Sequence, residues 1–337
     1  MKIQRQDLLN ILDMVSPGLS KRDIIEQSAS FAFDQGKVLT YNDEIACSYP
    51  IDLQFTGAVR SAGLLHILRK LKDDELTLLA EDNNIVVLNK TTKTSIPTEK
   101  DILLPISCVD TPTKWKTLPE DFLDAIKMAK HCASNDQSLF VLTCLLFTPT
   151  HIDACDSRQV CRYTLELPIK KSFLLRRDSI SHITNMSVTK ICPTENWVHF
   201  QNEMGLVISC RRYFNVEDFF PIDPILKDKG VPLVLPKSLL ERVDVGRFFA
   251  QTDIEASEAV LNIVLSEGRL LIKAIGAEGS HLSKTRIAYK GPARSFTIEA
   301  GLLSEFATSF TQCSINETKL MVKDGAFQYA TSLGVSK

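Results

Sequence analysis

Residues 61–87 have the sequence SAGLLHILRKLKDDELTLLAEDNNIVV, which contains one complete unit of the predicted fold. Its first part places leucines at helical spacing, which predicts a short amphipathic helix. The charged turn Lys72–Glu75 follows, and the alternation that begins at Leu76 predicts a strand. A second turn at Glu81–Asn84 leads to a second strand at Ile85–Val87. The stretch therefore predicts a helix that packs on a pair of strands.

The same arrangement returns in other parts of the chain. Near the C-terminus, residues 299–310 predict a helix, and Lys319–Val322 and Ala326–Tyr329 predict the two strands. A looser copy predicts a helix at Arg177–Ile183, followed by two strands that end at Phe200. Repetition at wide spacing is typical of a chain built from copies of one structural unit.

The remaining segments extend this pattern to three domains. A helix is predicted at Gln6–Val15, and the pattern restarts at Leu118 and at Leu235. One strand is predicted to run from Leu139 to Phe147. Strands outnumber helices, so the predicted fold class is α+β, with each domain a doubled helix-plus-strands half. The predicted domains are residues 1–112, 113–226 and 227–337.

Composition favours a soluble, reduced, cytoplasmic protein. The 337 residues are 44% hydrophobic and 24% charged, as is ordinary for globular chains. The nine cysteines include no Cys-x-x-Cys pair and no spacing typical of a zinc site, so no metal or other cofactor is expected. The N-terminus lacks an apolar signal region, and no apolar run is long enough to span a membrane.

One group of residues has the types needed for catalysis. His151, Asp153 and Cys155 alternate along a predicted strand, so they share one face. Side chains two positions apart on a strand are separated by about 6.6 Å, too far for a short nucleophile and base to meet. Gly276 and Gly279 lack the Lys-Ser/Thr partner of a phosphate-binding loop. The sequence therefore predicts a protein that is not an enzyme.

Basic residues lie in adjacent pairs at predicted helix edges. The net charge of −2 excludes a uniformly basic protein, but Lys21-Arg22 and Arg176-Arg177 occupy similar places in two predicted domains. Such pairs can contact phosphates without reading base sequence. The alternative is an ordinary solvated surface, which is the usual environment of Lys and Arg.

The three doubled domains resemble the bacterial sliding clamp, the beta subunit of the replicative DNA polymerase. The resemblance covers nearly the whole chain and rests on local matches that occur in the family's order. These matches are Met1-Lys2-Ile3 with Leu8-Leu9, the strand Leu142–Phe147, Ala154–Arg158, Phe219-Phe220-Pro221 and Lys237–Leu240.

The resemblance implies a ring with helices lining the hole and sheets outside. Two chains would close head to tail as a homodimer, encircle double-stranded DNA and tether a DNA polymerase as a processivity factor. A clamp loader and other proteins with a clamp-binding motif would be further partners. No membrane partner is implied, and the setting would be a bacterial cell or a phage-infected bacterium.

The resemblance also implies three sets of site residues. DNA would be contacted by Lys21, Arg22, Arg69, Lys70, Phe140, Arg176 and Arg177. A pocket for partner peptides would be formed by Leu142, Cys155, Arg158, Val160, Leu226 and Tyr329. The dimer interface would use Ile96 on an edge strand of the first domain and two consecutive phenylalanines of the third domain, Phe248 and Phe249.

Two departures from the family affect the predicted pocket. Gln159 stands where the family usually has Arg, and the tail Ser332–Lys337 lacks the family's Met-Pro-Met-Arg-Leu ending. An alternative interpretation is a three-domain protein-interaction scaffold that does not encircle DNA. An enzyme that uses His151 and Cys155 is a more distant alternative.

Overall fold

The structure is a computed structural model, and it describes residues 1–53, 55–81, 83–250 and 259–335. The chain divides into two compact units. We call them the N-terminal unit (Met1–Lys130, Cys144–His151 and Leu165–Asp218) and the C-terminal unit (His131–Thr143, Ile152–Thr164 and Phe219–Lys337). This division into two units does not test the three predicted domains, whose boundaries remain predictions.

The described part of the chain contains short helices and many strands. The helices are α1 (Arg5–Val15), α2 (Ser61–Lys70), α3 (Phe122–Lys130), α4 (Arg177–Ile183), α5 (Asp223–Leu226), α6 (Leu239–Ala250) and α7 (Ala300–Ser309). The first eight strands are β1 (Lys2–Gln4), β2 (Ser30–Asp34), β3 (Lys37–Tyr41), β4 (Ile45–Pro50), β5 (Gly57–Arg60), β6 (Glu75–Glu81), β7 (Asn84–Leu88) and β8 (Lys93–Pro97).

The strands after β8 continue the alternation with helices. The next eight are β9 (Lys116–Thr117), β10 (Cys144–Phe147), β11 (His151–Cys155), β12 (Gln159–Thr164), β13 (Phe173–Arg176), β14 (Lys190–Pro193), β15 (Trp197–Gln201) and β16 (Val207–Arg211). The last nine are β17 (Val231–Val234), β18 (Val260–Ser266), β19 (Arg269–Gly276), β20 (Gly279–Arg286), β21 (Arg294–Glu299), β22 (Gln312–Ile315), β23 (Lys319–Asp324), β24 (Phe327–Ser332) and β25 (Gly334–Val335).

The stretch at residues 61–87 forms the predicted elements. Helix α2 begins at Ser61 and buries Leu64 and Leu68 at helical spacing. Strands β6 and β7 pair antiparallel, with Leu78 opposite Val87. The later copy, α7 with β23 and β24, also forms as predicted. These matches confirm the mixed α+β class.

Among its described residues, the N-terminal unit contains two antiparallel sheets and the antiparallel pair of β10 and β13. The smaller has the order β1-β6-β7-β8, and the larger has the order β5-β2-β3-β4-β16-β15-β14-β9. The hairpin of β2 and β3 turns at Gln35 and Gly36, which both have positive φ. Glycine suits that position because a two-residue hairpin turn of this type needs left-handed backbone at both central residues.

Strand β4 joins sequence segments that the predicted boundary at residue 112 separates. It pairs with β16, with Ile45 opposite Cys210. The fully buried Trp197 packs nearby against Tyr41, with ring centroids 6.1 Å apart. The larger sheet is therefore continuous across that boundary.

The C-terminal unit also contains two antiparallel arrangements of strands. One has the order β11-β12-β24-β23-β22-β17, and the other has the order β20-β19-β18-β21-β25. Helix α6 packs on the second sheet, since a Cβ added at Gly246 would lie 3.0 Å from Leu261. An aromatic cluster of Phe306, Phe310 and Tyr329 fills the space between α7 and β24.

Two predictions about local structure are wrong. The strand predicted from Leu139 begins only at Cys144, because Phe140–Thr143 forms a 3₁₀ turn that Thr143 closes through its hydroxyl. Lys21-Arg22 lies in the loop between α1 and β2 and not at a helix edge, since the helical backbone ends at Gly18. Arg176-Arg177 does lie at the start of α4, as predicted.

Candidate functional site

A cleft of about 430 Å³ opens on the surface of the C-terminal unit. Strands β12 and β24 form its floor, where Gln159 pairs with Thr331. Helix α5 and the residues just before it supply one wall. The lining residues are Leu142, Asp156, Ser157, Arg158, Gln159, Val160, Phe220, Ile225, Thr318, Lys319, Ala330, Thr331, Ser332 and Leu333.

The structure places three of the six predicted pocket residues in the wall of this cleft. Leu142, Arg158 and Val160 line it, with Val160 on β12 and Leu142 in the 3₁₀ turn. Leu226 is half-buried and is not a lining residue, whereas its neighbour Ile225 is. Ile225 and Leu226 are both half-buried, and Ile225 is the one that reaches the cleft.

The other two predicted residues lie beneath the surface. Cys155 is 1% exposed, and burial raises the pKa of its thiol to about 12. Tyr329 is 7% exposed, and its hydroxyl donates a hydrogen bond of 2.8 Å to Oε1 of Gln159. Burial, the largest cause, also raises the pKa of this phenol well above its ordinary value. Tyr329 thus supports the floor of the cleft through Gln159.

Charged side chains at the rim are held by partners. The guanidinium of Arg158 pairs with Glu299 at the end of β21, and Lys319 pairs with Asp228. The Asp156 carboxylate accepts the backbone N–H of Arg158 at 2.7 Å, which shapes the turn between β11 and β12. The rim is polar and ordered, and it surrounds an interior with exposed aliphatic and aromatic groups.

The lining residues that the sequence did not predict include three large apolar side chains, Phe220, Ile225 and Leu333. Phe220 is 50% exposed although its neighbour Phe219 is only 7% exposed. Two adjacent phenylalanines point to opposite sides of an extended segment. That signal was present in Phe219-Phe220-Pro221, and it could have indicated a surface aromatic group at this place.

An ion-pair network holds α5 against the floor of the cleft. Arg162 donates to both carboxylate oxygens of Asp153 at 2.8 and 2.7 Å and to Asp223 at 2.7 Å. Asp153 is 2% exposed, and these bonds to its carboxylate raise the pKa of the Arg162 guanidinium. Since Asp223 opens α5, the network fixes the helix that carries Ile225.

The same contacts show the surroundings of two members of the alternating trio His151, Asp153 and Cys155. The carboxylate of Asp153 is occupied by Arg162, and the thiol of Cys155 is buried in its protonated form. Neither side chain is arranged as a base or a nucleophile. In the part of the chain that the structure describes, no group of three or more His, Cys, Asp or Glu could hold a metal ion.

The residues predicted to contact DNA differ in their surroundings. Lys21, Arg22, Arg69 and Lys70 are exposed, the last two in the final turn of α2. Arg69 forms an exposed ion pair with Asp13 at 3.1 Å.

Arg176, in contrast, keeps only 18% of its side chain exposed and pairs with Glu44 at 3.5 Å. Arg177 is half-buried at the start of α4. Phe140, in the C-terminal unit, begins the 3₁₀ turn and is 36% exposed. The exposed cations of the α1–β2 loop and of α2 are therefore the accessible members of this predicted set.

The residues predicted at a dimer interface lie on edge strand β8 and on helix α6, which packs beside edge strand β20. Ile96 is on β8, the edge strand of the smaller N-terminal sheet, and its side chain is buried. Phe248 at the end of α6 is 57% exposed. Phe249 is half-buried and stacks on His281 of edge strand β20, with ring centroids 5.8 Å apart. Of the two phenylalanines, Phe248 is therefore the more exposed.

The fold is that of the three-domain bacterial sliding clamps, as the sequence predicts. No protein-family model matches the sequence, and no curated protein matches it significantly. Solved structures of clamps nevertheless match along the whole chain. The DNA polymerase sliding clamp of Bacillus subtilis has a TM-score of 0.84 at 13% identity, covering 100% of this chain and 99% of that one.

Two further clamps give similar values. The sliding clamp of Pseudomonas aeruginosa bound to griselimycin has a TM-score of 0.82 at 14% identity. The DNA polymerase III beta subunit of Thermotoga maritima has a TM-score of 0.82 at 13% identity. Both comparisons cover 100% of this chain and 99% of the other. Among the described helices, none is long and apolar enough to cross a membrane.

Proposed function

We propose that this protein is a DNA sliding clamp that tethers a replicative DNA polymerase and has no catalytic turnover of its own. The observation that carries the proposal is the likeness to clamp structures over the whole chain, at a TM-score of 0.84. Fold alone does not determine function, so the surfaces of this chain must supply the rest of the argument.

The cleft on β12, β24 and α5 is the proposed site for partner peptides. Its interior offers Leu142, Phe220 and Ile225, and its rim offers Arg158 and Lys319. An aliphatic and aromatic interior beside fixed positive charge suits a short segment with a leucine or aromatic anchor and an acidic residue. Polymerase and clamp-loader segments are the proposed occupants.

The proposed assembly is a head-to-tail homodimer of three-domain chains with the boundaries predicted above. A head-to-tail contact closes into a ring when its rotation allows. Edge strands β8 and β20, with Phe248 and Phe249 beside β20, are the proposed contact surfaces. Unpaired strand edges favour such pairing. The helices would line the ring, and the sheets would form its outer wall.

Contact with the encircled DNA is proposed to be weak and independent of base sequence. The exposed Lys21, Arg22, Arg69 and Lys70 can approach phosphates, and each contact would release counterions. Arg176, Arg177 and Phe140 complete the proposed set. Arg176 would act mainly by orienting the start of α4, because Glu44 already engages its guanidinium.

Topology distinguishes a clamp from a scaffold that does not encircle DNA. The protein, with its cognate clamp loader if one is needed, is placed on nicked circular DNA and separated from free protein by gel filtration. We expect retention on the circle and rapid loss after a single restriction cut. Equal retention on circular and linear DNA would contradict encirclement and would favour the scaffold.

Salt dependence tests the proposed DNA contacts separately. Arg69→Ala with Lys70→Ala should lower the slope of log affinity against log salt by about 2, uniformly across DNA sequences. The matched control replaces Lys90 and Lys100, two exposed lysines of the same unit, and should leave the slope unchanged. A change in base-sequence preference would contradict the phosphate-contact interpretation.

A further inference from the structure

The sheet β20-β19-β18-β21-β25 of the C-terminal unit has a solvent-facing side that carries a cluster of positive charges. Side chains alternate between the two sides of a strand. On β19 and β20, Ile272 and Ser283 face inward and are buried. The alternate positions point away from α6, and all of them except the half-buried Leu271 are exposed. We call these positions, with their four cations, the basic sheet face: Arg269, Lys273, Lys284 and Arg286.

The cations of this face lack ionic partners within the described structure. Arg269 lies directly opposite Arg286 in the register of the two strands, and Lys273 lies diagonal to Lys284. Like charges directly opposite each other destabilise a sheet. Among the described residues, no carboxylate within ion-pair distance offsets any of the four charges. Glu299 of β21 lies on the same side of the sheet, but its carboxylate pairs with Arg158. A chain of net charge −2 thus places four cations without an ionic partner among the described residues on β19 and β20.

The smaller sheet of the N-terminal unit provides an internal comparison. The charged residues on its solvent-facing side are Lys2, Glu75, Glu81 and Lys93, so the two signs balance. Lys93 pairs with Glu81 at 2.7 Å. A mixed, paired surface of this kind is what solubility requires. The basic sheet face therefore departs from the pattern of another sheet in the same chain.

Aliphatic side chains are interleaved with the four cations. Leu282 lies opposite Lys273 and is 55% exposed, and Ile275 is 77% exposed further along β19. Val260 on β18 is 47% exposed. The described residues of this face include no aromatic side chain. Proteins that bind single-stranded nucleic acids use aromatic side chains to stack against the bases. Cations that alternate with aliphatic groups complement a segment in which carboxylates alternate with aliphatic groups.

We propose that the basic sheet face is a docking site for an acidic, aliphatic segment of a partner protein. The site lies entirely within the C-terminal unit and is separate from the cleft on β12 and β24. It goes beyond the proposed clamp function and does not depend on it. In a clamp, this face would let a partner be held on the outer wall without competing for the cleft.

The test uses two labelled synthetic peptides and fluorescence anisotropy. One alternates Glu with Leu, and the other alternates Glu with Ser. We expect the Glu-Leu peptide to bind the wild-type protein with a Kd of about 100 µM or tighter at low salt, and the Glu-Ser peptide to bind more weakly. Lys273→Ser with Lys284→Ser should weaken binding about five- to tenfold, while Lys273→Arg with Lys284→Arg should retain it.

Control variants locate the binding and separate charge from apolar contact. Lys2→Ser with Lys93→Ser removes two exposed lysines from the other sheet and should leave the affinity unchanged. Leu282→Ser should lower affinity for the Glu-Leu peptide and leave that for the Glu-Ser peptide unaltered. Melting temperatures of all variants are compared with wild type, so that loss of folding is recognised.

Several results would overturn the proposal. They are no binding of the Glu-Leu peptide below about 1 mM, equal affinity for both peptides, or an equal loss in the Lys2 and Lys93 control. Tighter binding of a single-stranded oligonucleotide that displaces the peptide would assign the face to nucleic acid. Residues 251–258 contain Asp253, Glu255 and Glu258. A rise in peptide affinity after their neutralisation would assign the face to the chain's own segment.

Discussion

Replacement of Asp153 by Ala should destabilise the C-terminal unit by about 3 kcal/mol. The side chain of Arg162 is 18% exposed, and it lies between Asp153, which is 2% exposed, and Asp223, which is 57% exposed. Removal of one partner from a buried ion pair typically costs about 3–5 kcal/mol, because it leaves a buried charge uncompensated. The lower end applies here because Arg162 keeps its hydrogen bond of 2.7 Å to Asp223.

Urea unfolding followed by two probes measures this cost. Both tryptophans, Trp115 and Trp197, belong to the N-terminal unit, so their fluorescence serves as an internal reference. Far-UV circular dichroism reports on both units. With a slope of about 1–3 kcal/mol per molar urea, the transition of the C-terminal unit should shift down by about 1 M or more. The fluorescence transition should stay in place.

Asp223→Ala is the matched control for this experiment. It removes the exposed partner of the same guanidinium, so its cost should stay below about 1 kcal/mol. Its larger effect should be on peptide binding in the cleft, because α5 carries Ile225. A cost below about 1 kcal/mol for Asp153→Ala, or an equal cost for both variants, would refute the reasoning from burial.

Three further predictions concern pH, assembly and the cleft. Burial lowers the pKa of His199 to about 4. The contribution of this histidine to stability should therefore be complete above about pH 6.5, and stability should fall by up to about 3 kcal/mol as the pH drops towards 4. His199→Gln should flatten this pH dependence of the urea midpoints, and an unchanged pH profile in the variant would contradict the prediction. Phe248→Ser should give a folded monomer in sedimentation velocity at micromolar concentration, while the control Phe214→Ser, at a similarly exposed phenylalanine, should stay dimeric. A monomeric wild-type protein would contradict the proposed dimer. Phe220→Ala should weaken the binding of a cognate polymerase peptide about tenfold in a titration, without lowering the melting temperature. An unaltered affinity would show that the peptide binds outside the cleft.

Most of the local elements follow from the residues within their own segments. The predicted helix at Gln6–Val15 is observed at Arg5–Val15, and the helix at Arg177–Ile183 has the predicted bounds. The hairpin of β2 and β3 likewise turns at two adjacent residues, Gln35 and Gly36. These features depend on periodic apolar residues and turn residues within one short window, so their physical cause is contained in neighbouring side chains. The failure at Leu139–Phe147 arose because a polar hydroxyl, that of Thr143, closes a local turn against an apolar pattern.

The pairing of distant segments, in contrast, is visible only in the folded chain. Strand β4 pairs with β16, and Tyr329 bonds Gln159 across 170 residues of sequence. The cleft combines Leu142, Phe220 and Leu333 from three separate segments. Such pairings are chosen by the sum of strand hydrogen bonds and buried apolar area over the whole chain, and no local pattern contains that sum. The same reason explains Arg176, since its partner Glu44 lies in the turn between β3 and β4, far from Arg176 in sequence.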